Sequence, residues 1–129
     1  MPPVADRVEA GKTGRLLYGR IHPNEDLVAG IEALCVREGF AHALVRGSLG
    51  SLAAACLETP TGQRIAMDGP AVEVLTLTGD VRTEGGTPQA RLMGMLVDMQ
   101  GQVRGGAMVR GSNPVCVTFE VTLEEWVPA

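Results

Sequence analysis

Glu73 and Arg91 are the two charged residues whose neighbours argue against solvent. With both segments read as strands, Glu73 falls on the face of Leu75 and Leu77, and Arg91 on the face of Met93 and Met95. The alternation therefore predicts that each charge is drawn out of water and needs a partner. Two readings stay open. One is a Glu–Arg salt bridge, within one chain or across a subunit boundary. The other is an arginine presented to an anionic ligand, with the carboxylate orienting it. Arg46, which shares a strand face with His42 and Ser48, is a third candidate for such a ligand.

Other segments with the look of chemistry fall short on spacing. Gly11-Lys12-Thr13 matches the end of a phosphate-binding loop, but Asp6 stands where the loop needs its first glycine, and no strand precedes it. Arg46-Gly47-Ser48-Leu49-Gly50-Ser51 lacks both the dinucleotide pattern and the Gly-x-Ser-x-Gly elbow, so it is read as a tight turn between strands. His22 and His42 have no second ligand at helical or close-strand spacing. Nothing in the placement of Ser48, Ser51 and Ser112 argues for a Ser-His-Asp triad. Cys35, Cys56 and Cys116 are odd in number and far apart, which suits three reduced core thiols in a cytosolic protein.

Whatever chemistry exists must be held by one domain, because 129 residues with 45% hydrophobic and 20% charged side chains make a single core. That core is filled by small aliphatic groups, since the chain has 17 glycines but only two Phe, one Tyr and one Trp. Eleven basic residues against 15 acidic ones give a net charge of -4, and the arginines are dispersed between carboxylates. Duplex binding, which wants a clustered basic face, is disfavoured. The longest apolar run, Leu52 to Leu57, is far short of the roughly 20 residues that cross a bilayer. The segment Met1-Pro2-Pro3-Val4-Ala5-Asp6-Arg7 has no apolar stretch of the kind a secretion signal requires, so the expected location is cytoplasmic, with no membrane partner.

Residues 1–13 are Pro-, Gly- and charge-rich without a period and are expected to form a flexible arm, followed by one domain over residues 14–129. Gly14 to Ile21 reads as a first strand. Asn24 is the expected N-cap of a helix with Glu25 and Asp26 in its first turn. Leu27, Val28, Ile31, Leu34 and Cys35 recur at helical spacing, and Gly39 supplies the stop. The rest reads as strands: residues 41–49, 53–59, 71–81, 89–99, 103–110 and 115–127. In the last, Val115, Val117, Phe119, Val121 and Leu123 alternate with polar or small residues, which predicts one wet face. Residues 89–99 are apolar on both faces, which for a one-helix domain suggests that another subunit covers one of them.

The order of these segments from Arg15 to Trp126 resembles the plant-and-prokaryote-conserved (PPC, or PCC) domain family. The resemblance rests on Pro23-x-Glu25-Asp26-Leu27, on Gly47-Ser48-Leu49-Gly50-Ser51 and on Val72-Glu73-Val74-Leu75-Thr76-Leu77-Thr78-Gly79. It also rests on Asp98-x-x-Gly101-x-x-x-Gly105-Gly106 followed by the closing strand. It implies an α+β fold, a mainly antiparallel β-sheet packed by one main α-helix, assembling as a homotrimer. Many bacterial members hold a zinc-like ion with a His-x-His pair and a third His after the Gly-Gly. The matching positions here are Arg91, Met93 and Ala107, so no metal and no cofactor are expected. Plant members join the domain to an Arg-Gly-Arg hook for the DNA minor groove, and this sequence has no such tripeptide.

The leading expectation is a homotrimeric module for assembly or protein interaction, without evident catalytic machinery. The alternative is a binding protein or enzyme for an anionic small molecule, with a site at the subunit interface that uses Arg91, Glu73 and Arg46. DNA binding is third. The residues themselves name no reaction.

Overall fold

A computed structural model of the chain describes residues 8–129. Nine elements follow one another: β1 (Gly11–Ile21), α1 (Leu27–Glu38), β2 (His42–Leu52), β3 (Ala55–Glu58), β4 (Arg64–Met67), β5 (Val72–Glu84), β6 (Thr87–Val97), β7 (Val103–Met108) and β8 (Val115–Pro128). The strands form one sheet in the order β1-β8-β2-β5-β6-β7-β3-β4. The fold is thus α+β, a mostly antiparallel sheet with a single helix, as the sequence predicts.

Of the expected flexible arm, residues 1–7 lie outside the described residues. The remainder is tied down. The strand starts at Gly11 rather than Gly14, because Gly11 lies opposite Pro128 and the Ala129 N–H donates to the Ala10 carbonyl at 2.9 Å. Glu9 accepts hydrogen bonds from Arg82 at 2.7 Å and from the Trp126 indole.

The helix forms where its period predicts, with a different N-cap. Asp26, not Asn24, takes that role: one carboxylate oxygen accepts the Ala29 N–H at 3.0 Å and the other the Asn113 N–H at 3.1 Å. Asn24 instead occupies a turn with φ 69°. Gly39, at φ 73°, ends the helix in the left-handed conformation that costs glycine least. Leu27, Val28, Ile31, Leu34 and Cys35 are buried against the inner face of the sheet, with Ile21, Phe119, Val121 and Leu123 among their companions. Burial pushes the Cys35 thiol up to about 11, aided by the nearby Glu32 charge, so it stays protonated and inert.

The strands differ from the sequence reading in four places, and the first two set which residues face out. In β5 the register with β6 shifts between Val74 and Thr76, so Glu73 and Leu75 are exposed while Leu77 is buried. Glu73 and Leu77 therefore do not share a face, and Glu73 stands in water. In β8, Val117 is exposed although Val115 and Phe119 are fully buried, because β2 and β8 slip between Gly50 and Leu52. The segment Gly47 to Ser51 is no turn; it lies within β2. Finally, β4 is a short edge strand with no hydrophobic alternation to announce it.

Two buried polar groups fasten the loop before β8. Asn113 is fully buried. Its side chain accepts the Cys56 N–H at 3.0 Å and donates to the Val109 carbonyl at 2.7 Å, and its backbone oxygen accepts the Leu27 N–H at 3.0 Å. Glu32, on the helix, accepts two hydrogen bonds from Arg110 and one from the Ala90 N–H at 2.8 Å. Burial pushes the Glu32 carboxyl up, but the Arg110 bonds, the Ala90 bond and the Arg110 charge together bring it below the usual carboxylate range.

Glu32→Gln is expected to lower stability at pH 7 by about 1–2 kcal/mol, since the bidentate pair becomes at best one neutral hydrogen bond beside a half-exposed arginine. A depressed native pKa stabilises fully above the unfolded value of about 4 and less as pH falls through the lower native one. Urea unfolding of both proteins should thus show the gap at pH 7 closing in acid. A gap independent of pH would exclude the carboxylate as its source.

Candidate functional site

Helix α1 covers one face of the sheet, and the opposite, outer face carries Glu73, Arg91 and Arg46. Across its middle, Thr76, Met95 and Gly105 stand side by side on β5, β6 and β7, as do Thr78, Met93 and Ala107. Thr76, Thr78, Met93, Met95, Gly105 and Gly106 line a shallow depression of about 240 Å³. Its rim is apolar: Leu75 is 53% exposed, Met93 50% and Met95 48%, with Val103 beyond them. The strand expected to be apolar on both faces is thus buried on one, through Leu92, Gly94 and Leu96, and open on the other.

Arg91 sits next to this depression. Its strand is held close to β5 by Gly79, at φ 139°, where any Cβ would collide with the Arg91 carbonyl. The register places Arg91 opposite Asp80, and the guanidinium donates twice to that carboxylate, from Nε at 3.1 Å and from Nη2 at 2.8 Å. The expected Glu73–Arg91 bridge does not form, since Glu73 stands opposite Val97 at the other end of β5. Arg91 is not withdrawn from water in the single chain; its side chain is exposed. The hydrogen bonds to Asp80, foremost, and the Asp80 charge hold the Arg91 pKa above its ordinary value.

Arg46 is two strands away on β2, where the register slips between Val45 and Gly47, and its Nε lies 3.4 Å from Glu124. Arg20, missed in the sequence, repeats the pattern on β1: it pairs with Glu120 at 3.3 Å, and Glu120 also accepts from the Tyr18 hydroxyl. The Tyr18 bond, foremost, and the Arg20 charge hold the Glu120 carboxyl below its usual range. Arg91, Glu73 and Arg46 therefore share one face without converging on a common cavity, and each arginine has its own carboxylate. Only strand register could have revealed those partners.

Among the described residues no three His, Cys, Asp or Glu side chains gather around a common point. No described helix is long and apolar enough to cross a membrane.

No curated protein matches the chain. Solved structures do. A metal-containing protein, AF0104, of Archaeoglobus fulgidus is 21% identical over 95% of this chain and 86% of its own, with a TM-score of 0.82. A plant- and prokaryote-conserved protein of Pyrococcus horikoshii is 24% identical over 93% and 84%, with a TM-score of 0.79. A protein of Bacteroides thetaiotaomicron whose given name proposes DNA binding is 15% identical over 89% and 83%, with a TM-score of 0.74.

The likeness to a metal-containing protein prompts a test of fit. The three positions matched to the family's histidines do come together, with Met93 directly opposite Ala107 and Arg91 next along the same face. Their side chains do not suit a zinc-like ion: the guanidinium is a cation already bound to Asp80, the thioether is soft, and alanine has no donor. The fold and the order of motifs nevertheless agree with the sequence match. Residues 8–127 match the Plants and Prokaryotes Conserved (PCC) domain, and the chain belongs to that family.

Proposed function

We propose that the protein is a self-associating module, a homotrimer whose outer sheet faces meet, and that it serves assembly or the recruitment of another protein rather than catalysis. The observation that supports this is the exposed apolar strip of Leu75, Met93, Met95 and Val103 around a shallow depression. Contiguous apolar surface of this kind, flanked by polar groups, marks a contact surface. Threonines and glycines beside the methionines leave it low in relief, so that another sheet can approach. Methionine adapts its shape to what it meets.

The ion pairs on the same face suit this role. Arg91–Asp80, Arg46–Glu124 and Arg20–Glu120 are pre-paired, so covering them leaves no lone charge without a counterpart. The same pairing weakens the anionic-ligand reading, because Arg91 already spends two donors on Asp80. It also weakens DNA binding, the reading suggested by the name of the Bacteroides relative. Among the described residues eight arginines lie within 4 Å of a carboxylate, so little net positive field is left there to displace counterions.

Light scattering should give a particle of three times 13.5 kDa. Joint substitution of Met93→Asp and Met95→Asp should yield single chains with an unchanged circular dichroism spectrum, as both side chains already face water. A wild-type protein that stays a single chain, or a double variant that keeps its mass, would overturn the proposal. Duplex DNA at about 150 mM salt should show no retardation; binding with a steep salt slope would favour the DNA reading instead.

A further inference from the structure

We propose that self-association is switched by hydrogen peroxide, through oxidation of Met93 and Met95 to their sulfoxides. The switch rests on the outer-face contact proposed above and supplies its regulation. Three observations carry it.

The first is where the methionines stand. Among the described residues Met67 and Met108 are buried, whereas Met93, Met95 and Met99 are exposed. All three exposed ones lie on β6 or in the turn after it, and Met93 and Met95 line one depression. The accessible thioethers are thus concentrated in the apolar strip itself. Of the thiols, Cys35 is fully buried and pushed up to about 11, which leaves little of the reactive thiolate. Cys56 and Cys116 lie on other strands.

The second is what the strip offers an added oxygen. From Met93 to Val97 the main chain of β6 is paired on both sides, so its donors are engaged. Thr78 and Thr76 stand opposite Met93 and Met95, and their hydroxyls are the only side-chain donors lining the depression. In a single chain the sulfoxide oxygen points into water and leaves the fold intact. Under a second sheet it loses that water, and one hydroxyl cannot satisfy so strong an acceptor. The thioether suits a covered apolar strip; the sulfoxide does not.

The third is access. The core gathers on the inner face, so a released chain keeps its fold while both thioethers, about half exposed, meet solvent. Peroxide reaches them in chains not yet joined or briefly released, and oxidation then withdraws those chains from assembly by mass action. The sulfur lone pair takes one peroxide oxygen: the O–O bond breaks, an S–O bond forms, and the second oxygen leaves as water with both hydrogens. The thioether gives up two electrons and the peroxide accepts them. Methionine sulfoxide reductases restore the thioether, one enzyme for each epimer.

The test follows the protein through hydrogen peroxide treatment, with peptide mass spectrometry for the added oxygen and light scattering for the particle. Oxygen uptake at Met93 and Met95 should be slow in concentrated protein, and that protection should be lost on dilution. Protein carrying both sulfoxides should need at least about tenfold more protein to assemble, with an unchanged circular dichroism spectrum. Reductase treatment should restore assembly. A chain with Met93→Leu and Met95→Leu, which keeps the strip apolar and every cysteine in place, should stay assembled through the same treatment. Doubly oxidised protein that assembles as before, or a leucine variant that falls apart to the same extent, would overturn the switch and leave the contact standing. Untreated protein that is a single chain at every concentration would remove the contact, and the switch with it.

Discussion

A sheet has two faces, and the described residues offer one helix to cover them. Helix α1 buries the inner face with Leu27, Val28, Ile31, Leu34 and Cys35, and the core gathers there. The outer face is left with apolar and ion-paired side chains together. Much else follows from this imbalance. Glycines let the helix sit close, as at Gly30, where a Cβ would strike Ile21, and at Gly19, where it would strike Leu34. Close approach makes up for the scarcity of aromatic residues, because small side chains packed at short distance still reach the density of a protein interior.

The helix is held in place by polar clasps at both ends rather than by packing alone. At its start, Asp26 caps the helix and reaches Asn113. At its end, Arg15 of β1 donates to the Glu38 carbonyl at 2.8 Å and lies 4.8 Å over the ring of Phe40. A cation near the last helical carbonyls is favoured by the helix dipole, and the aromatic face adds a second attraction. In the middle, Glu32 joins helix, β6 and the loop before β8. Side chains on three distant stretches of sequence thus fix one orientation of the helix on the sheet.

The helix was legible because a period of 3.6 survives over twelve residues and Gly39 marks its end. The sheet was legible as a set of segments, though its faces were not. A single extra residue at Leu75 inverts the side chains that follow, and nothing in Val72 to Thr78 signals that slip. For the same reason Glu73 looked buried and is not. Asn24 and Asp26 are both good capping residues, and the choice between them rests on Asn113, 87 residues further along. Of the candidate site, Arg91, Met93 and Ala107 lie near one another on β6 and β7, whereas Glu73 and Arg46, named with Arg91 from the sequence, stand elsewhere on the sheet beside other partners. What could not be read was the partner of Arg91, because Asp80 is defined by register alone.

The last strand, β8, lies between β1 and β2, the first two strands of the chain. Until those closing 14 residues leave the ribosome, β1 has no neighbour in the sheet and β2 lacks one of its two. Vectorial synthesis therefore cannot build this sheet from its amino-terminal side outward. The earliest strand has to wait, solvated and unpaired, while the β5–β6 hairpin, whose partners are close in sequence, is free to zip first.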